Sequence, residues 1–203
     1  MKTVIIDYGM GNLRSVQKAV ESLGYAAEIS SDPQIVTEAD KLILPGVGAF
    51  PQAMENLQKK DLLPAIKAAL DRPFLGICLG MQLLLSSSEE FGLTDGLNAL
   101  PGRVEYFRKS VNFPADLPVP HIGWNDVRQK KDTLFKGLPE TFTAYFVHSY
   151  YAVPDAASVV SGVTDYGIDF CSALEKDNIF GVQFHPEKSG ENGLQILKNF
   201  LEI

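Results

Sequence analysis

Pro73-Phe74-Leu75-Gly76-Ile77-Cys78-Leu79-Gly80-Met81-Gln82 changes character halfway along. Its first half is an apolar run of strand type. Its second half opens a helix expected over Leu79–Leu85, and the sulfur of Cys78 falls at the junction. A strand that runs straight into a helix makes a sharp turn of the kind that presents a nucleophile at the top of an α/β sheet. Gly76 and Gly80 stand two residues to either side of the cysteine, where such a turn leaves no room for a Cβ. Cys78 is therefore expected above the carboxyl end of a strand and at a helix N-terminus, where the dipole favours the nucleophilic thiolate. The competing reading is an inert cysteine buried in a core strand. The paired glycines and the C-terminal part of the chain weigh against it.

Upstream of this stretch, Val4–Ile6 is a short apolar run suited to a strand covered on both faces. The turn Asp7-Tyr8-Gly9-Met10-Gly11-Asn12 follows, then a helix from Leu13 to Leu23 with Leu13, Val16, Val20 and Leu23 at helical spacing, stopped by Gly24. The Gly-x-Gly lacks the third glycine of a dinucleotide fingerprint and is read as a tight βα turn. Ala26–Ser30 and Lys41–Leu44 are the next strands. The latter runs into Pro45-Gly46-Val47-Gly48, whose glycines serve either a turn or a nest of ligand-facing N–H groups. Helices are expected near Ala53–Gln58 and Leu62–Leu70. Strands alternating with helices in this way predict an α/β fold with a mostly parallel central sheet flanked by helices. Three loops (Gly9–Asn12, Pro45–Gly48 and Cys78–Gly80) gather at one edge, where such sheets carry their sites.

From Ser86 to Pro139 prolines and glycines accumulate, and β-type segments appear at Val104–Phe107, Ile122–Val127 and Ala144–Val147. This predicts an additional antiparallel, loop-rich part on the same domain. Strands over Ser158–Thr164, Phe170–Lys176 and Ile179–Phe184 and a helix over Gly193–Leu201 close the chain. The whole, residues 1–203, is expected to be one domain.

Composition excludes several classes. The net charge of -7 leaves no basic excess to meet nucleic-acid phosphates. Two cysteines in 203 residues do not make a disulfide framework, and a free thiol suits a reducing cytoplasm. The N-terminal apolar run is too short for a signal peptide, and no stretch reaches membrane-spanning length. Three histidines and two cysteines never fall at metal-ligand spacing, so no metal and no cofactor are expected.

His185-Pro186-Glu187 follows the apolar segment Phe180–Phe184. In extended chain the residues on either side of Pro186 point the same way, and the proline ends the strand. An imidazole with a carboxylate to orient it is two-thirds of a catalytic triad, for which Cys78 supplies the nucleophile.

Gly76-x-Cys78-x-Gly80-x-Gln82 together with His185-Pro186-Glu187 resembles the class I glutamine amidotransferases over nearly the whole chain. The resemblance implies that Cys78 attacks the side-chain amide carbon of glutamine, that His185 relays the proton and that Glu187 orients His185. It implies oxyanion donors on Leu79 and on the Gly46-Val47-Gly48 turn, and substrate contacts from Gln82, His148, Ser149 and Tyr150. Relatives commonly carry Pro-Gly-Gly where this chain has Val47; the branched side chain resists a flipped backbone. An oxyanion turn that is mis-set until a partner binds is therefore expected. The segments Asp7–Leu13, Pro45–Phe50, His121–Asn125, Tyr145–Tyr150 and His185–Ser189 narrow the resemblance to glutaminases that pass ammonia to a separate β/α-barrel cyclase subunit in a heterodimer. At 203 residues no second catalytic domain is expected in the chain. Trp124, His121 and Lys188 are the expected interface residues. Cys171 is expected in the core, and Glu89 and Glu90 at a solvated helix end. The alternatives are a glutaminase serving another ammonia-using synthase (vitamin B6 or purine) and a non-catalytic binding protein on the same fold.

Overall fold

A computed structural model describes all 203 residues. Its strands are β1 (Thr3–Ile6), β2 (Ala27–Ser30), β3 (Lys41–Gly46), β4 (Phe74–Cys78), β5 (Ser87–Ser88), β6 (Thr94–Asp95), β7 (Gly102–Tyr106), β8 (His121–Gln129), β9 (Thr141–His148), β10 (Tyr150–Pro154), β11 (Val160–Asp165), β12 (Asp169–Lys176) and β13 (Ile179–Val182). Its helices are α1 (Leu13–Ser22), α2 (Pro33–Thr37), α3 (Phe50–Lys59), α4 (Leu62–Ala68), α5 (Leu79–Leu83) and α6 (Gly190–Glu202).

The strands β2-β1-β3-β4-β13 lie side by side and parallel. Successive residues of these strands feed opposite cores, as the two-residue period of a strand demands. Val4, Ile6, Leu42 and Leu44 join the helices α3 and α4 on one face. Ile5, Ile43, Leu75, Ile77 and Val182 join Val16 and Val20 of α1 and Ile196, Leu197 and Phe200 of α6 on the other. A sheet covered on both faces favours apolar residues at successive strand positions, which is why the interiors of β1, β3 and β4 read as continuous runs. No helix is long and apolar enough to cross a membrane.

The antiparallel part is continuous with this sheet. β12 pairs with β13 and β10, and the path runs on through β7. A branch from β12 through β11 reaches the long pair β8–β9. Several elements depart from expectation, among them the two-residue strands β5 and β6 and a β13 that ends two residues early, at Val182. Helix α2 is capped by Asp32, which accepts from Gln34 N at 2.8 Å, with Pro33 in the first turn; the capping signal was present, but five residues carry no helical period. Strand β10 was not anticipated; its burial does not alternate cleanly. Helix α5 stops at Leu83, two residues early.

Candidate active site

Cys78 ends β4 and caps α5 with φ 54° and ψ −111°, a left-handed conformation for a residue that carries a side chain. The turn is held by contacts that exclude side chains from its neighbours. A Cβ on Gly76 would lie 2.6 Å from the Gly80 carbonyl oxygen, and one on Gly80 would be driven into the Leu44 carbonyl of β3. The register places Gly46 directly beside Cys78 across the β3–β4 pair. Gly46 is as crowded: a Cβ there would meet Leu79 at 2.8 Å and the hydroxyl of Tyr8. That hydroxyl is buried without a hydrogen-bond partner, and burial, with Cys78 nearby, pushes its pKa up.

His185 and Glu187 come together by a route other than strand alternation. β13 ends at Val182, His185 is extended, and Pro186–Lys188 form a 3₁₀ turn. That turn brings Glu187 Oε1 to 2.9 Å from His185 Nδ1, with both side chains almost wholly buried. The backbone of His185 is clamped to β9: its N–H donates to the Tyr145 carbonyl at 2.9 Å, and its carbonyl accepts from Ser189 Oγ at 2.7 Å. Ser189 Oγ in turn accepts from Tyr145 N at 2.9 Å. Nε2 of His185 is buried and free of any bond to Glu187, and His185 lines the same cavity as Cys78. Burial works against the imidazolium; hydrogen bonding to Cys78 and Glu187 and the negative charge at both outweigh it and raise the His185 pKa.

The cavity is about 390 Å³. Of the residues expected there, Val47, Gly48, Cys78, Leu79, Gln82, His148, Ser149, Tyr150 and His185 line it, while Gly46 packs behind the wall. Glu90 lines it too. Expected at a solvated helix end, Glu90 lies instead in a turn after β5, half-buried, with Oε2 accepting from the first N–H of α3 (Phe50) at 2.7 Å. Burial raises its pKa. The sequence hid this because the anchor lies 40 residues away. Glu89 stays on the surface, paired with Lys109.

His148 cannot offer a ring nitrogen to the cavity. Nδ1 donates to the Tyr150 carbonyl at 2.8 Å, so Nε2 of the neutral ring accepts from His121 Nδ1 at 3.0 Å. His121 Nε2 then accepts from Asn125 at 3.2 Å. His121, expected at an interface, is thus a correction: its ring is buried, stacked on Tyr166 and Phe146, because the β8–β9 pairing sets it opposite His148. Trp124, on the opposite side of the strand, is 59% exposed and edges onto Tyr145, over which Lys188 also lies, its Nζ 5.8 Å from the ring centre. Cys171 is buried in β12, its thiol pushed up to about 12 by burial.

Burial lowers His121 to about 4 and His148 to about 3. Below pH 6.5 the unfolded chain therefore binds two protons that the folded chain refuses. Stability should fall between pH 6.5 and 5 by about 2 kcal/mol for each ring. His185 acts in the opposite sense: its pKa is raised in the folded chain, so its contribution is present below 6.5 and is lost as pH rises through the folded value. Urea midpoints should peak near neutrality, and His121→Gln with His148→Gln should flatten the acid side. An acid limb unchanged in that double variant would contradict the assignment.

The family model for class-I glutamine amidotransferases matches residues 4–203. The imidazole glycerol phosphate synthase subunit HisH of Moorella thermoacetica is 54% identical over 98% of this chain and 93% of its own length. The same subunit of Syntrophotalea carbinolica is 53% identical over 97% and 98%, and that of Geobacter sulfurreducens 50% identical over 100% and 99%. Among solved structures, a glutamine amidotransferase superposes with TM-score 0.75 at 18% identity, covering 98% of this chain and 97% of that one. The PurLQS structure from Thermotoga maritima superposes with TM-score 0.73 at 18% identity, covering 99% and 97%.

Proposed function

The chain belongs to the class I glutamine amidotransferase family, and from that premise we propose how its residues divide the work. It is the glutamine-hydrolysing subunit of an imidazole glycerol phosphate synthase, and it works with a partner subunit. The roles assigned to individual residues are our reading. Cys78 attacks the side-chain amide carbon of glutamine, and the oxyanion that forms is met by N–H groups of Leu79 and the Gly46-Val47-Gly48 turn. His185 delivers its proton to the departing nitrogen, releasing ammonia and leaving a glutamyl thioester. It then takes a proton from water, whose oxygen attacks the thioester and frees glutamate and the sulfur. Glu187 fixes the His185 tautomer and supports the imidazolium.

The observation that carries this reading is the buried 2.9 Å His185–Glu187 pair, whose imidazole lines the same cavity as Cys78. Glu90 is the one carboxylate on the lining and suits the ammonium group of an amino-acid substrate. Gln82, Ser149 and Tyr150 complete the substrate wall, and His148 holds the Tyr150 carbonyl in place.

The partner is read as a β/α-barrel cyclase that receives ammonia before water can protonate it, the two chains forming a heterodimer in the cytoplasm. Exposed Trp124, with Tyr145 and Lys188 beside the backbone that carries His185, is the proposed docking face. Such a face couples docking to the site. The isolated chain is expected to hydrolyse glutamine about 100-fold more slowly than the complex, the magnitude of one missing oxyanion donor. Steady-state ammonia release with and without the cyclase measures it. Equal rates, or stimulation by a different synthase subunit alone, would overturn the partner assignment.

A further inference from the structure

Gln183 is fully enclosed and has no role in the scheme above. It lies just beyond β13, and its Nε2 is 3.6 Å from Cys78 Sγ. Its Oε1 is 2.9 Å from Gln82 Nε2, which also lies 3.0 Å from the Tyr150 carbonyl. The direction of this chain is fixed from its far end. A carbonyl only accepts, so Gln82 must turn its NH₂ toward Tyr150. The second hydrogen of that group is aimed at Gln183, which must therefore present its oxygen. The NH₂ of Gln183 is left for the sulfur. The reverse orientation would set two NH₂ groups against each other in a buried site.

We infer that Gln183 is the donor that holds the Cys78 sulfur as a thiolate, and that Gln82 fixes which end of the Gln183 amide faces it. The inference rests on the reading of Cys78 as the attacking group. A hydrogen bond to an ionised acceptor is about twice as strong as one to a neutral acceptor, so this contact favours thiolate over thiol. The neutral thiol has its own acceptor, the Val147 carbonyl at 3.8 Å. Ionisation ends that bond and strengthens the one from Gln183. Helix α5, five residues long, adds little dipole.

The other groups around the sulfur are His185 backed by Glu187, the Tyr8 hydroxyl, neutral His148 and, across the cavity, Glu90. Only His185 is a cation, and it gives up its proton during turnover. Gln183 remains a donor throughout, including the step in which the thioester breaks and the sulfur departs as an anion.

The test is the pH dependence of Cys78 alkylation by iodoacetamide on the intact chain, followed by peptide mass spectrometry. Gln183→Met should move the midpoint up by about one unit and slow alkylation near neutrality about tenfold. Gln82→Met should shift it the same way by less, because the donor remains but loses its orientation. A folded Gln183→Met chain with an unmoved midpoint overturns the inference, even if glutamine hydrolysis is lost. If that variant does not fold, the unsubstituted chain decides: the Gln183 side-chain amide resonance should titrate with the alkylation midpoint, and a resonance that stays fixed overturns it. The profile reads the sulfur–amide contact alone. Glutaminase activity surviving Cys78→Ala would instead remove the catalytic reading.

Discussion

Replacing Cys78 with alanine is expected to lower glutamine hydrolysis by at least about 10³-fold while the chain still folds and still binds its partner. The reasoning is chemical. Without sulfur no thioester forms, and water must attack an unactivated amide directly; the remaining groups can bind and polarise glutamine but cannot divide the reaction into two easier steps. The structural cost is small. Alanine fills nearly the same space, and the left-handed backbone at this position is imposed by Gly76, Gly80 and Leu44 rather than by the cysteine. Ammonia release, a thermal melt and co-elution with the cyclase check the three parts of the expectation. Hydrolysis within tenfold of the unsubstituted chain would refute the role given to Cys78.

Gly80→Ala is expected to be the most damaging single-methyl substitution in the protein. The added carbon would collide with the Leu44 carbonyl oxygen, which belongs to a central strand paired on both sides. The oxygen cannot retreat without breaking the parallel ladder, and the turn cannot rise without displacing Cys78 from Gly46. Overpacking against backbone of this kind has no flexible side chain to absorb it, so a loss of roughly 4 kcal/mol or more is expected. Gly24→Ala is the control. Gly24 also has positive φ, at 84°, but nothing stands within 4 Å of a Cβ there; backbone strain alone should cost about 1–2 kcal/mol. Urea unfolding of the two variants separates collision from strain. Equal losses would show that the contact with Leu44 yields easily.

The parallel half of the fold was legible because its strands are covered on both faces and its helices on one. Val4–Ile6, Leu42–Leu44 and the run before Cys78 are uninterrupted apolar segments, and Leu13–Leu23 carries a helical period ended by Gly24. The antiparallel half was only partly legible. β10 and α2 are short, and their positions depend on neighbours distant in the chain, such as β7 and β12 for β10.

The site divides along the same line. The residue types at 78, 185 and 187 declare chemistry locally, as do the glycines around 78, since each is required by its own turn. Glu90, Gln183 and the His121–His148 pair declare nothing locally. An exposed-looking Glu-Glu, a glutamine in an apolar strand and two histidines 27 residues apart acquire meaning only from what folding sets beside them.

What the sequence determined by itself was the strands and long helices of the parallel half, the elbow at Cys78 and the candidate reacting groups, because short-range sterics and periodicity act between residues a few positions apart. What only the tertiary structure decided was which polar atom faces which: Glu187 reaching His185 through a 3₁₀ turn, His121 turned inward while Trp124 points out, and Gln183 directed at the sulfur by a glutamine about a hundred positions earlier. Hydrogen bonds in a buried site are chosen by the partners that packing leaves available, and packing is a property of the whole chain.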